Sequence, residues 1–183
     1  VHAQQRLTLL SAHDASAVTL TRKVLERPRL VARIRAAIGD PSLAHLSCFN
    51  ATADERALAL ALGIPLYACD PDLAWLGGKS GSREVFRAAG VPLPDGFENL
   101  RDAADVVQAL AALRGRDPTL ERAVVKLNEG ASGEGNAVFG FDGAPTDGRS
   151  LAAWIAARLP GHLAFEAPGE QWEHYAAKLG TMG

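Results

Sequence analysis

The sequence predicts an α/β fold that turns to α+β in its second half. Three observations predict it. Between residues 7 and 68, short apolar runs alternate with stretches of helical character, the pattern of a small parallel sheet with covering helices. Within residues 123–141, two apolar runs flank a segment with glycines at 130, 133 and 135, which reads as a hairpin or a flap with a mobile tip. Residues 102–113, 151–159 and 171–179 read as helices, with apolar side chains gathered on one side. The best division is a first unit, 1–70, and a second, 71–183, with no flexible linker between them.

Composition narrows the classes. The chain has 183 residues, 48% hydrophobic and 22% charged, a globular balance. Its net charge of -2 and pI near 6.2 provide no basic excess to neutralise a nucleic-acid backbone. No apolar run approaches the roughly 20 residues needed to cross a bilayer, and VHAQQRLTLL lacks the apolar region and cleavage site of a signal peptide. Cys48 and Cys69 have no metal-site spacing and read as small core residues of a reduced, cytoplasmic protein. The chain opens on Val rather than Met, and Gly180-Thr181-Met182-Gly183 reads as an interrupted loop; a fragment is the expectation.

In chain order, Leu7 to Leu10 is the first strand candidate. The turn after it holds His13 and Asp14, a catalytic pair in principle, but no nucleophile is identifiable and the structural reading is preferred. Residues 20–38 are helical and rich in arginine, with Pro28 breaking the stretch in two and Gly39 stopping it. His45 to Phe49 reads as a second strand. Thr52 and Glu55 form a capping box for a helix ending at Gly63, and residues 64–68 make a third strand. Asp70 and Asp72 are read as caps.

Lys79 opens the next helix. A lysine there meets the positive end of the helix dipole, so an anion would be stabilised by both the N–H groups and the ammonium; an exposed, solvated lysine is the alternative. Residues 102–113 follow as an amphipathic helix, stopped by Gly115 and Pro118. Then comes AVVKLNEGASGEGNAVFGF. Its glycines let backbone N–H groups approach a ligand and form an anion nest. Lys126 adds a point charge, Ser132 a hydroxyl and Asn136 an amide. This is neither a Walker loop nor a Rossmann fingerprint, since there is no GK[ST] and the flanks read strand–loop–strand. An ordinary hairpin whose glycines serve tight turns stays open as the alternative.

The order VVKLNEGASGEGNAVF resembles the phosphate-covering loop of the ATP-grasp superfamily, in the peptide-ligase branch related to the pheganomycin ligase. The resemblance extends through LGIPLYACDPDLAWLGGKSGSREVFRAAGVPLPDG, and to LTLLSAHDAS and FEAPGEQWEHYAAKLG. It implies a Rossmann-like pre-ATP-grasp unit over 1–70 and the front part of an ATP-grasp domain over 71–183. It also implies ATP as ligand, held by Lys79, Lys126, Glu129, Gly130, Ser132, Gly133, Gly135 and Asn136. ATP-grasp ligases phosphorylate a carboxylate and let an amine displace the phosphate, so amino-acid or peptide substrates are implied for the parent protein. Mg2+ is implied too, but no downstream acidic and Asn cluster follows; Glu166, Glu170 and Glu173 are not assigned as ligands. The chain alone is therefore expected to be an inactive N-terminal fragment of a ligase. A non-catalytic nucleotide-binding or assembly module of the same fold is the alternative. No catalytic residue is assigned, and homo-oligomerisation is left open.

Overall fold

The computed structural model describes residues 2–130 and 133–182. The chain divides into two compact units, residues 1–75 and 76–183.

In the first unit, α1 (His2–Arg6) leads into irregular chain, followed by α2 (Leu20–Leu25) and α3 (Pro28–Ile38). Pro28 starts α3, where its missing N–H costs nothing, and the expected break falls there. Then come β1 (Leu46–Ser47), α4 (Ala53–Leu62) and β2 (Leu66–Tyr67). β1 and β2 are parallel, with Leu46 beside Leu66. Val24, Leu30, Leu58, Leu62 and Ile64 form the core.

Leu7 to Leu10 is not a strand, and the expected three-stranded parallel sheet is two-stranded among the described residues. Leu7 and Leu9 are exposed and only Leu10 touches the core. The segment after them is fixed by polar contacts instead. The buried Lys23 ammonium donates to the carbonyls of Asp14 (3.0 Å) and Ser16 (2.6 Å), and Arg27 pairs with the Asp14 carboxylate at 2.6 Å. These bonds tie the chain to α2 and not to the edge of β1.

The capping box at Thr52 forms as expected. Its hydroxyl accepts from Asp54 N–H, its own N–H donates to Glu55 at 2.9 Å, and Gly63 closes α4 in the left-handed conformation. Replacing Thr52 by Ala should lower the stability of this unit by about 1 kcal/mol, read as an earlier midpoint in urea monitored by circular dichroism.

The second unit contains α5 (Lys79–Ala88), α6 (Ala103–Arg116), β3 (Arg122–Lys126), β4 (Asn136–Gly140), α7 (Gly148–His162), β5 (Leu163–Phe165) and α8 (Trp172–Met182). The sheet is antiparallel, in the order β3-β4-β5. Alternation splits its faces. Ala123, Val125, Ala137 and Phe139 point into a core with Val106, Leu110, Ile155, Leu159, Tyr175 and Leu179. Arg122, Val124 and Lys126 are exposed.

Two helix ends differ from expectation. Gly115 does not stop α6, which runs to Arg116; Asp117 is extended because Pro118 follows it. Residues 180–182 belong to α8 and not to a loop, since Leu179 in the same helix is buried in the core. The architecture is thus mixed helix and sheet.

Candidate functional site

The β3–β4 turn is built from its register. Lys126 faces Asn136 across the ladder, and the next pair closes with Leu127 N–H donating to the Gly135 carbonyl at 2.9 Å. Gly130 N–H donates to the Leu127 carbonyl at 3.2 Å, and Asn136 N–H donates back to the Gly133 carbonyl at 3.1 Å. The turn requires glycine at two places for different reasons. A Cβ at Gly130 would stand 2.2 Å from the Glu134 carbonyl oxygen. Gly135, at φ +80°, would put a Cβ 2.9 Å from that of Leu127. The base of the turn is pinned from below, where the buried Tyr175 hydroxyl donates to the same Gly135 carbonyl at 3.0 Å.

Lys79 and Lys126 come together beside this turn. The Lys79 ammonium donates to the carbonyls of Gly130 (2.5 Å) and Asn128 (3.3 Å). Partial burial pulls its pKa down, the positive charge of Lys126 pulls it further, and Glu129 opposes both. Among the described residues, no carboxylate forms an ion pair with either ammonium. Two neighbouring cations held without a paired anion are suited to a polyanion.

The other expected site residues are placed differently. Gly133 is in the turn at φ +83°. Glu129 accepts from the Asn128 amide at 2.8 Å, which makes it a supporting carboxylate. Asn136 donates to Glu166 at 2.9 Å, across to the segment that follows β5. Ser132 lies outside the described residues. The N–H groups at the start of α5 are not open to an anion as expected. The Asn128 side-chain oxygen accepts from Ser80 N–H at 2.8 Å, and the Asn128 carbonyl from Lys79 N–H at 3.5 Å. Sequence reading missed Asn128 and Tyr175, because each acts on a residue 40 or more positions away. The two adjacent glycines before Lys79 were the one local hint of a close approach.

A cavity of about 720 Å³ adjoins the lysines, with Lys79, Ser80, Lys126 and Asn128 among its polar lining and Leu100, Leu110 and Val124 among its apolar lining. That volume is in the range of small-molecule sites. One wall is the chain from Pro94 to Leu100. Glu98 fastens this strap to α5 through Arg83 (2.6 Å) and Arg87 (2.7 Å), and Asp95 fastens it to Arg116 of α6 at 2.8 Å. The Arg116 guanidinium also lies over the Phe97 ring, 4.6 Å from its centre.

His13 and Asp14 do not form a catalytic pair. Asp14 accepts from Ser16 N–H at 2.9 Å and pairs with Arg27, and these bonds hold its carboxyl far below the usual range. Asp70 caps the chain at Asp72 N–H (3.0 Å) and pairs with Arg56 (2.6 Å). Cys48 and Cys69 are both free thiols, but neither is the core residue expected: Cys48 is half-buried and Cys69 exposed. Among the described residues, no group of three or more His, Cys, Asp or Glu side chains is arranged to hold a metal.

Comparison with known proteins adds lineage to this geometry. Residues 71–142 match the family model described as IQCH-like, ATP-grasp. The chain is 32% identical over 161 residues to L-propargylglycine–L-glutamate ligase of Streptantibioticus cattleyicolor, covering 86% of this chain and 33% of the ligase. It is 30% identical over 142 residues to IQ motif-containing protein H of Danio rerio, covering 74% of this chain and 13% of that protein. The chain therefore spans a third or less of the length of these relatives. No solved structure matches it significantly.

Two outcomes follow from the site's geometry. Tyr175→Phe should cost about 1 kcal/mol of stability and speed amide exchange within the 127–136 turn, because Gly135 loses its lower anchor. Glu98 gives a pH dependence. Burial pushes its carboxyl up, but the Arg83 and Arg87 hydrogen bonds outweigh this and leave it below its ordinary 4.5. Its contribution to stability is thus complete above about pH 4.5 and is lost as pH falls through the lowered value. Acid titration followed by amide exchange of the strap should show this step in wild type and not in Glu98→Gln.

Proposed function

Because the chain is related to the ATP-grasp peptide ligases, we propose that its second unit is the front half of an ATP site and that its parent protein is a carboxylate–amine ligase. The observation that carries this reading is the pair Lys79 and Lys126, two ammonium groups beside a glycine turn with no ion-paired carboxylate among the described residues. The triphosphate of ATP is the anion such a pair suits. In this reading, residues 1–70 are the pre-ATP-grasp unit and residues 71–183 the N-terminal part of the ATP-grasp domain, whose family match begins at residue 71.

The residues then have distinct tasks. Lys79 and Lys126 neutralise phosphate charge that grows as the bond to the leaving group breaks. The turn containing Gly130, Ser132, Gly133 and Gly135 covers the phosphates and excludes water. Glu129 moderates the local positive charge, and Asn136 supplies one further amide donor. In the full reaction a substrate carboxylate attacks the terminal phosphorus and ADP leaves; an amine then attacks the acyl carbon, an amide forms and phosphate departs. The relative's name joins two amino acids, so amino acids or short peptides are the substrates proposed. Mg2+ would bridge the phosphates in the parent protein, with its protein ligands proposed to lie outside this chain. This chain alone is proposed to be inactive as a ligase and to work in the cytoplasm; association of two copies is compatible with the reading.

A second reading is a nucleotide-binding or assembly module without chemistry. What supports it, no more strongly than the first reading, is the IQCH-like description of the matching family and the similarity to IQ motif-containing protein H.

Calorimetry of ATP binding, with and without magnesium, tests the proposal. Wild type should bind ATP, and Lys126→Ala should weaken binding at least tenfold while its circular dichroism is unchanged. A well-folded wild type that binds no ATP would overturn the reading of this unit as a nucleotide site.

A further inference from the structure

We propose that Asn128 is the positioning residue of the two-lysine site: together with Gly78, it locks the start of α5 to the end of β3 so that Lys79 and Lys126 face one anion. This rests on the reading of the lysine pair as a triphosphate site.

The lock uses every polar atom of the Asn128 side chain. Its oxygen accepts from Ser80 N–H at 2.8 Å, and its nitrogen donates to Glu129 at 2.8 Å. Its backbone carbonyl takes both the Lys79 ammonium (3.3 Å) and the Lys79 N–H (3.5 Å). Helix α5 has no capping side chain of its own, since its N-cap is Gly78 and makes no side-chain hydrogen bond. The capping oxygen comes instead from Asn128, 48 positions after the Ser80 N–H that it accepts from.

Gly78 makes room for it. Its φ of -68° is open to any residue, so its backbone conformation does not require glycine. Space does. A Cβ there would lie 2.9 Å from the Asn128 amide nitrogen and 3.2 Å from its oxygen. To admit that Cβ the side chain must shift, which strains the two hydrogen bonds it makes.

The choice of an amide is informative. Asp caps a helix about as well as Asn does. A carboxylate at this position, however, would put a negative charge beside two cations and compete with the bound anion. Asn holds the helix without quenching the field.

The experiment uses sodium tripolyphosphate as probe. Its binding is measured by calorimetry to wild type, Asn128→Ala, Asn128→Asp, Gly78→Ala and the double variant Gly78→Ala/Asn128→Ala. Thermal melting, Ser80 amide exchange and NMR titration of the Lys79 ammonium accompany each. Asn128→Ala should weaken binding about tenfold, unprotect Ser80 N–H and move the Lys79 titration upward toward that of free lysine. Asn128→Asp should restore Ser80 protection, but only part of the melting temperature because its second oxygen faces the Glu129 carboxylate, and it should bind no better than Asn128→Ala. Gly78→Ala should reproduce the loss seen in Asn128→Ala and add nothing in the double variant, because the two residues form one contact.

Binding by Asn128→Ala equal to wild type, or losses that simply add in the double variant, would overturn the lock. If wild type binds no tripolyphosphate, the triphosphate reading fails. The lock is then judged by the Lys79 titration, and an Asn128→Ala variant that leaves it unmoved overturns the lock as well.

Discussion

The register of β3 against β4 is the constraint on which the second unit depends. Pairing Lys126 with Asn136 fixes the length of the turn and sends Ala123 and Val125 into the core, while Lys126 stays on the open face. A slip of one residue would bury the lysine and expose the valine. Tyr175 reinforces the register from beneath, by giving its hydroxyl to the carbonyl that already accepts from Leu127. The base of the turn is therefore held by the core. This is how a short glycine segment can keep a defined geometry at the edge of a small sheet.

From this fixed strand end the site is assembled by carbonyl groups. The carbonyls of Asn128 and Gly130 receive the Lys79 ammonium, and Asn128 receives the first N–H groups of α5. A helix N-terminus and a lysine both repel cations, and each is quieted here by neutral oxygen. The positive field survives because the supporting groups are dipoles, with Glu129 the nearby carboxylate that tempers it. Placing the site on a strand end and a helix start gives the cations a rigid frame, and leaves the strap from Pro94 to Leu100 as a separately fastened wall.

The first unit shows how a local pattern can be overruled. Leu7, Leu9 and Leu10 have the composition of a strand, but a strand needs a partner edge and a face to bury. Lys23 and Arg27 instead capture the following turn through its carbonyls and the Asp14 carboxylate, and two of the leucines remain in solvent. The helix signals fared better, because the capping box at Thr52 and the break at Pro28 involve only residues within one turn of each other.

That distinction marks what the sequence determined alone. It determined the helix starts at Thr52 and Asp102, the β3–β4 hairpin and the place of Lys126 beside its glycines, since each depends on neighbours in the chain or on simple alternation; Lys79 reaches those glycines only through the fold, across 51 residues. Tertiary structure decided the rest. Only folding brings Asn128 to Ser80, Tyr175 to Gly135 and Glu166 to Asn136, with between 30 and 48 residues separating each pair. It also closed the start of α5, which the sequence left open to an anion. The physical reason is that a hydrogen bond across such a separation has no periodicity to announce it; it exists because hydrophobic burial of the sheet has already fixed where both partners stand.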